Sequence, residues 1–319
     1  MFVKIFFIRY VSGYQDYIQT FRSYGIPGLL QELRNRSKIW SIKELRGAVE
    51  GVRSNSSSIT DEPNYLTVCS LAQRNREILS KFKSCYEYRL VLEHVSRFQG
   101  EKYFSQIRNN RRITENMLEI AASEIGNPLK YEYPVVGQIS PTQLRYAKIL
   151  QDLERMFDFT RVRRIAEIGI GNGGQAAQIC NLNQVEDYTL IDLEPVLGLT
   201  RMLLPIHKLT TNFEFLNPEL IDSLSTDLTI SNYAFSELNK AYQDIYIKNV
   251  LNNSTRGFML YNQIHEDPET GYTALEMVEK IPGARLFAEE PLTYIGNVVV
   301  AWGFDEEKVA NYFTPIPRV

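Results

Sequence analysis

Short apolar runs set off by longer amphipathic segments organise the second half of the chain. The runs at 164–168, 188–191, 213–216, 228–231, 257–261, 285–289 and 298–303 are rich in β-branched and aromatic residues and too short for helices. Helical patterns separate most of them. That alternation predicts an α/β fold, with a parallel sheet buried by helices on both faces. The last two runs stand too close together for a crossover helix, so they are expected to form an antiparallel hairpin. Ahead of them, Ser140-Pro141-Thr142-Gln143 reads as a helix start, with an N-cap serine, proline at the first helical position and glutamine at the third. The helix it opens runs from 144 to about 157.

Residues 1–130 follow helical periods and show no strand alternation, as in Ile26-Pro27-Gly28-Leu29-Leu30-Gln31-Glu32-Leu33 and in the segment 75–82. The serine-rich stretch 51–63 reads as a loop. There is no internal repeat. The predicted organisation is therefore a mostly helical N-terminal domain at 1–139, acting as substrate, partner or lid region, and a second domain at 140–319. Phe2, Ile5 and Phe6 form an apolar patch at helical spacing, whose expected use is packing on the protein body, with a membrane-surface or partner contact as the alternative.

Composition narrows the class. The chain is 44% hydrophobic and 23% charged, as in a soluble globular protein. No apolar run reaches the ~20 residues of a membrane span, and no small-residue cleavage site follows the apolar start. Cys69, Cys85 and Cys180 have neither CxxC spacing nor an even framework, which points to buried thiols in a reducing compartment. The expected location is the cytoplasm, with peripheral membrane contact as the alternative. His94, His207 and His265 are widely spaced, which does not favour a zinc site. The net charge of −3 conceals an asymmetry: residues 1–150 carry 22 Lys/Arg against 14 Asp/Glu, and the remainder carries 13 against 24. A basic half beside an acidic half attracts anionic substrates or reflects two domains docking. Arg108, Arg111 and Arg112 form the densest basic spot, but no RNA-binding signature accompanies them, so a nucleic-acid partner is not expected. A homo-oligomer is compatible with all of this.

The chemistry concentrates around Glu167-Ile168-Gly169-Ile170-Gly171-Asn172-Gly173-Gly174. The glycines follow a strand and precede a helix, where they admit unusual backbone angles and a close ligand approach. With Gly174 the run also satisfies G-x-G-x-x-G, so a nicotinamide-dependent oxidoreductase stays open at this point, as does a non-enzymatic binding module. Asp192 ends the next strand, about 20 residues on, where a carboxylate accepts the ribose hydroxyls of an adenosine cofactor. The strand at 228–231 opens onto Asn232-Tyr233-Ala234-Phe235-Ser236-Glu237-Leu238, a polar group at the sheet edge where open α/β sheets bind ligands.

Ser140-Pro141-Thr142-Gln143-Leu144-Arg145-Tyr146, the segment from Glu167 to Gln175, Leu190-Ile191-Asp192-Leu193 and the segment from Ser231 to Leu238 together resemble the sugar O-methyltransferases found among bacterial surface-polysaccharide genes. The resemblance covers about 140–303, with a fainter likeness from Tyr86 to Tyr103. It implies a Rossmann-like, seven-stranded class I methyltransferase sheet ending in an antiparallel strand, and S-adenosylmethionine as cofactor. It also implies that Glu167, Gly169, Gly171, Gly173, Asp192, Leu193 and Ser231 bind the cofactor. Gln175, Arg145, Tyr146, Asn232 and Tyr233 are expected to line the substrate side, with Arg145 pairing either with the cofactor carboxylate or with Glu167. The two prolines of amino-group methyltransferases are missing after Asn232, which favours oxygen as the acceptor. The acceptor implied is a sugar, nucleotide-sugar or lipid-linked glycan, with a phenol or polyketide as the alternative. Asn172 departs from the family, which often has tyrosine there, so that ring's contact is not carried over. His265, just past the strand at 257–261, is the first choice for the base that takes the acceptor's proton, because imidazole titrates near neutrality. Glu237 is the second. A magnesium-assisted route would use Glu266, Asp267 and Glu269 near His265 and is the less favoured variant.

Overall fold

The computed structural model describes residues 2–45, 63–263 and 270–317. Helix α1 (Phe2–Arg36) is two helical segments joined at Gly25, where φ is 60°, with Pro27 opening the second. After it come α2 (Pro63–Arg74), α3 (Arg76–Leu79), α4 (Tyr86–Val91), α5 (Arg97–Ile107) and α6 (Arg111–Ala122). The helical reading of this half holds up to residue 130. Beyond it a small antiparallel hairpin of β1 (Tyr131–Tyr133) and β2 (Gly137–Ile139) stands where no strand was expected. Tyr131 and Tyr133 are buried and Glu132 is exposed, a period of two that is too short to register in the sequence pattern. The side chains of Phe2, Ile5 and Phe6 and most of the 51–63 segment lie outside the described residues.

Helix α7 (Pro141–Met156) starts as its sequence predicts: Pro141 sits in the first turn and the Ser140 side chain accepts from the Gln143 amide. Then follow β3 (Arg164–Ile168), α8 (Gly174–Leu182), β4 (Asp187–Ile191), α9 (Glu194–Leu203), β5 (Asn212–Leu216), β6 (Leu228–Asn232), α10 (Ala234–Glu237) and α11 (Lys240–Asn249). The last elements are β7 (Gly257–Tyr261), α12 (Ala274–Lys280), β8 (Arg285–Ala288), β9 (Val298–Trp302) and α13 (Glu306–Tyr312). The strands lie in the order β5-β4-β3-β6-β7-β9-β8. All neighbours pair in parallel except β9, which is antiparallel to both β7 and β8. The hairpin of the last two strands is therefore present, and the antiparallel strand is inserted beside the edge strand rather than forming the edge. This is the seven-stranded α/β sheet expected from the residues and from the family resemblance.

Period-two alternation sorts the side chains onto the two faces. Ile165, Tyr188, Leu190, Ile230, Phe258, Leu260 and Val299 join one core, and Ala166, Ile168, Ile191, Met259, Tyr261, Val298 and Val300 join the other. The first core continues without a break into the N-terminal helices. Leu66, Tyr88, Tyr103, Ile107 and Met117 share it with Leu144, Leu150 and Leu197.

The order of the strands fixes where a ligand can sit. From β3 the chain moves outward through β4 and β5, then returns to β3's other side with β6. At such a reversal open α/β sheets hold ligands in the crevice beyond the carboxyl ends of the strands. Glu167 to Gly174 and Asn232 to Glu237 lie at that edge.

Candidate active site

Gly169, Gly171 and Gly173 all take positive φ, at 76°, 56° and 75°. At Gly169 the position is closed in a second way. A Cβ built there would stand 2.0 Å from the Cβ of Ala234, the first residue of α10. Only glycine lets the end of β3 pass beneath the turn that leaves β6. A Cβ at Gly171 would meet Leu92 at 2.8 Å, so the turn after α4 rests on the loop.

Asp192 stands at the end of β4 and braces this loop. Its Oδ2 accepts from the Ile170 and Gly171 amides at 2.9 and 3.3 Å, and its Oδ1 accepts from the Leu193 amide at 2.7 Å. Leu193 is the N-cap residue of α9, which begins at Glu194 with Pro195 in its first turn. Glu167, one strand over, is fully buried and accepts from the Tyr188 hydroxyl at 2.7 Å. Burial pushes its carboxyl up to about 8; the Tyr188 hydrogen bond opposes this and the Asp192 charge adds to it. The protein thus holds a neutral carboxyl under the glycine loop at pH 7.

That shift has a consequence for stability. The unfolded chain releases this proton near its ordinary value of 4.5, while the folded chain keeps it up to about 8. The stability due to the retained proton is complete below 4.5 and is lost as pH rises through 8, by up to about 1.4 kcal/mol per pH unit. Urea unfolding between pH 5 and 8.5 should show this fall in the wild type and a flatter profile in Glu167→Gln. Equal slopes would mean that Glu167 is ionised in the folded protein.

On the other side of the crevice Tyr233 follows β6 with φ 71° and ψ −30°, a conformation that favours glycine. Its hydroxyl donates to Glu289 and lies 3.3 Å from the Thr293 hydroxyl. Glu289 is buried at the carboxyl end of β8. It also accepts from the Thr293 amide at 2.9 Å and from the Thr293 hydroxyl. Asn297 donates to the Thr293 hydroxyl at 2.8 Å. Burial, followed by the Glu289 charge, keeps the Tyr233 phenol well above its usual range, so it stays protonated. Glu237 accepts from the Asn262 carboxamide at 2.9 Å, and Asn262 also receives the Ser236 hydroxyl.

The remaining expected site residues separate by what already occupies them. The Ser231 hydroxyl donates to the Ile168 carbonyl at 3.1 Å and accepts from the Phe235 amide at 3.0 Å, so it ties β3 to the start of α10. Gln175 donates to the Tyr146 carbonyl at 3.2 Å, and the Tyr146 ring packs where a Cβ on Gly174 would go. The Asn172 Oδ1 accepts from the Gly174 amide at 3.0 Å. Arg145 is buried and does not pair with Glu167; its hydrogen bond runs to the Leu92 carbonyl at 3.4 Å. Of the basic spot, Arg111 pairs with Glu115 at 2.6 Å and Arg112 with Glu154 at 2.7 Å. His265, Glu266, Asp267 and Glu269 lie outside the described residues. Among the described residues no group of three or more His, Cys, Asp or Glu side chains is placed to hold a metal ion.

Glu289, Thr293, Asn297 and Asn262 join this edge without having been singled out in the sequence. Glu289 alone carried a usable signal, as an acid on the last residue of a predicted strand. Tyr88, Leu92, Glu93 and Tyr103 come from the N-terminal stretch of fainter likeness, where none of them was singled out. Around the loop the buried polar atoms Gln175 Oε1, Glu93 Oε1 and, at the end of β6, Asn232 Oδ1 lack a hydrogen-bond partner, while the Tyr88 hydroxyl and Asn172 Nδ2 have only each other. Buried polar groups are nearly always satisfied, so their concentration here stands out against the rest of the core.

No helix among the described residues is long and apolar enough to cross a membrane. No family model matches the sequence, and no curated protein matches it. Among solved structures the chain is similar to the mitomycin 7-O-methyltransferase MmcR, with 17% identity and a TM-score of 0.36 over 50% of this chain and 56% of that one. It is similar to the pyocyanin biosynthetic protein PhzM, with 14% identity and a TM-score of 0.37 over 52% and 58% of the two chains. It is also similar to Thermoplasma acidophilum 1320, with 14% identity and a TM-score of 0.39 over 60% and 96%. The chain thus spans a little over half the length of the first two.

Proposed function

We propose that the protein is an S-adenosylmethionine-dependent O-methyltransferase whose acceptor is a sugar hydroxyl. One observation carries the reading. The switch point of a seven-stranded sheet with an inserted antiparallel strand bears a glycine loop flanked by Glu167 and braced by Asp192. A nicotinamide oxidoreductase would call for the doubly wound order that lacks that antiparallel insertion. The unpartnered polar atoms around the loop fit a cofactor that combines an amino acid with a nucleoside.

When bound, the cofactor would supply a methyl group activated on a sulfonium. The chain's task is to align the acceptor oxygen with that methyl, exclude water and remove the acceptor's proton. Alignment contributes up to about 7–11 kcal/mol to such reactions, and a general base adds about 10²–10⁴-fold. Asp192 and Leu193 are assigned to the ribose, Glu167 and the glycines to the methionine end, and Asn232 and Tyr233 to the acceptor. His265 and Glu237 are assigned to the proton. The N-terminal residues 1–139 contribute Tyr88, Leu92, Glu93 and Tyr103 as the wall facing the loop. The sugar, carried on a nucleotide or a lipid, rests on the family resemblance and on the mixture of amide and aromatic groups at the end of β6.

Isothermal calorimetry tests the reading directly. S-adenosylmethionine and S-adenosylhomocysteine should bind and NAD should not; the reverse would sink it. Asp192→Asn should weaken S-adenosylhomocysteine binding by about 10- to 100-fold, the worth of a hydrogen bond to a charged group. Unchanged affinity would take the ribose role away from Asp192.

A further inference from the structure

Arg145 is a buried cation with no carboxylate among the described residues in contact with it. It lies in the first turns of α7 with 7% of its surface exposed. Its guanidinium carries five donors in a fixed fork, yet the hydrogen bond it makes runs to the Leu92 carbonyl at 3.4 Å. Among the described residues no carboxylate oxygen comes within 4.0 Å of it. The nearby buried cations do find acids: Lys83 pairs with Glu124 at 2.7 Å, and Lys148 pairs with Asp152. Buried charges are otherwise paired or neutralised, and arginine cannot neutralise.

Its neighbours place it between the two halves of the crevice. The Tyr146 ring lies 5.6 Å away, on the side that packs on Gly174. Leu92, whose carbonyl it holds, rests its side chain on Gly171. Tyr233 and Tyr103 interact with it from the acceptor side, and Glu93 does so from the turn after α4. Glu93 makes no contact ion pair among the described residues; its Oε2 accepts from the Thr142 hydroxyl at 2.7 Å, and it feels the charges of both Lys83 and Arg145. Its Oε1 is buried without a hydrogen-bond partner.

The geometry points to Arg145 as the receiver of a ligand carboxylate at the junction of cofactor and acceptor. A guanidinium fork binds a carboxylate through two parallel hydrogen bonds, and burial strengthens both. Two sources offer this chemistry: the methionine end of the cofactor, or an acidic acceptor of the uronic acid type. The inference rests on the methyltransferase reading for the identity of the first source only.

The experiment compares wild type, Arg145→Met and Arg145→Lys by calorimetry. The first arm uses S-adenosylmethionine and its decarboxylated analogue. The second titrates glucuronate and methyl glucoside into the protein saturated with S-adenosylhomocysteine. If the carboxylate is the cofactor's, the wild type prefers S-adenosylmethionine by about 10- to 100-fold. Arg145→Met then erases that preference and leaves the decarboxylated analogue unchanged. If it is the acceptor's, Arg145→Met keeps the preference and loses glucuronate, with methyl glucoside unaffected. Lysine, a point charge without the fork, should give an intermediate loss and carries the test if methionine unfolds the protein. The inference is overturned if Arg145→Met matches the wild type in both arms, or weakens every ligand equally. A wild type that binds neither nucleoside refutes the methyltransferase reading instead. Glucuronate titrated into the ligand-free protein then decides Arg145 alone.

Discussion

Gly169→Ala should lower the unfolding free energy by about 2–5 kcal/mol. A β-carbon at φ 76° carries a backbone cost of about 1–2 kcal/mol. Its 2.0 Å approach to Ala234 adds overpacking of about 1–3 kcal/mol. The two contributions can be separated, because only the second depends on residue 234. The double variant with Ala234→Gly should recover the overlap and keep the backbone cost, giving a coupling of at least about 1 kcal/mol by urea denaturation. A purely additive pair would show that α10 moves aside freely and that the glycine serves the backbone angle alone. Either way the end of β3 is disturbed, so cofactor affinity should fall with stability.

Lys83→Met should be comparably severe. Lys83 and Glu124 are almost wholly buried and meet at 2.7 Å, and Glu124 also receives the Gln143 carboxamide at 3.1 Å. Removing the ammonium leaves the Glu124 carboxylate in the core with the half-buried Lys130 at 4.0 Å as its remaining cation, at a cost of about 3–5 kcal/mol. Replacing both partners, as Lys83→Met with Glu124→Leu, should restore most of that loss, since an apolar pair of similar volume often equals a buried ion pair. If the double variant is no better than the single, the loss comes from the lysine's packing and not from the abandoned charge.

What could be read from the chain divides along physical lines. Strands were legible because burial on both faces leaves unbroken apolar runs, and the observed β3 and β7 coincide with the predicted ones. The start of α7 was legible because capping is local: Ser140, Pro141 and Gln143 act within one turn. The glycine loop was legible for the same reason, with positive φ at Gly169, Gly171 and Gly173. Arg145's surroundings were not. Its neighbours Leu92, Tyr103 and Tyr233 are distant in sequence, and no periodicity reports which of them meet. Ser231 shows another limit: its place at a strand end suggested ligand contact, and no local pattern reported the link its hydroxyl makes between Ile168 and Phe235. Glu289 was available to a reader who asks which acids end strands, since β8 closes on the same edge as β6.

Tyr233 bears on how the protein would change under different selections. Its backbone sits where glycine is at ease and a tyrosine is strained by about 1–3 kcal/mol. A library at this position sorted only for survival of heating should drift toward glycine. A library sorted for ligand capture should keep the aromatic residue whose hydroxyl reaches Glu289. The separation between the two outcomes would measure how much thermal robustness this chain gives up to hold one phenol at the mouth of its crevice.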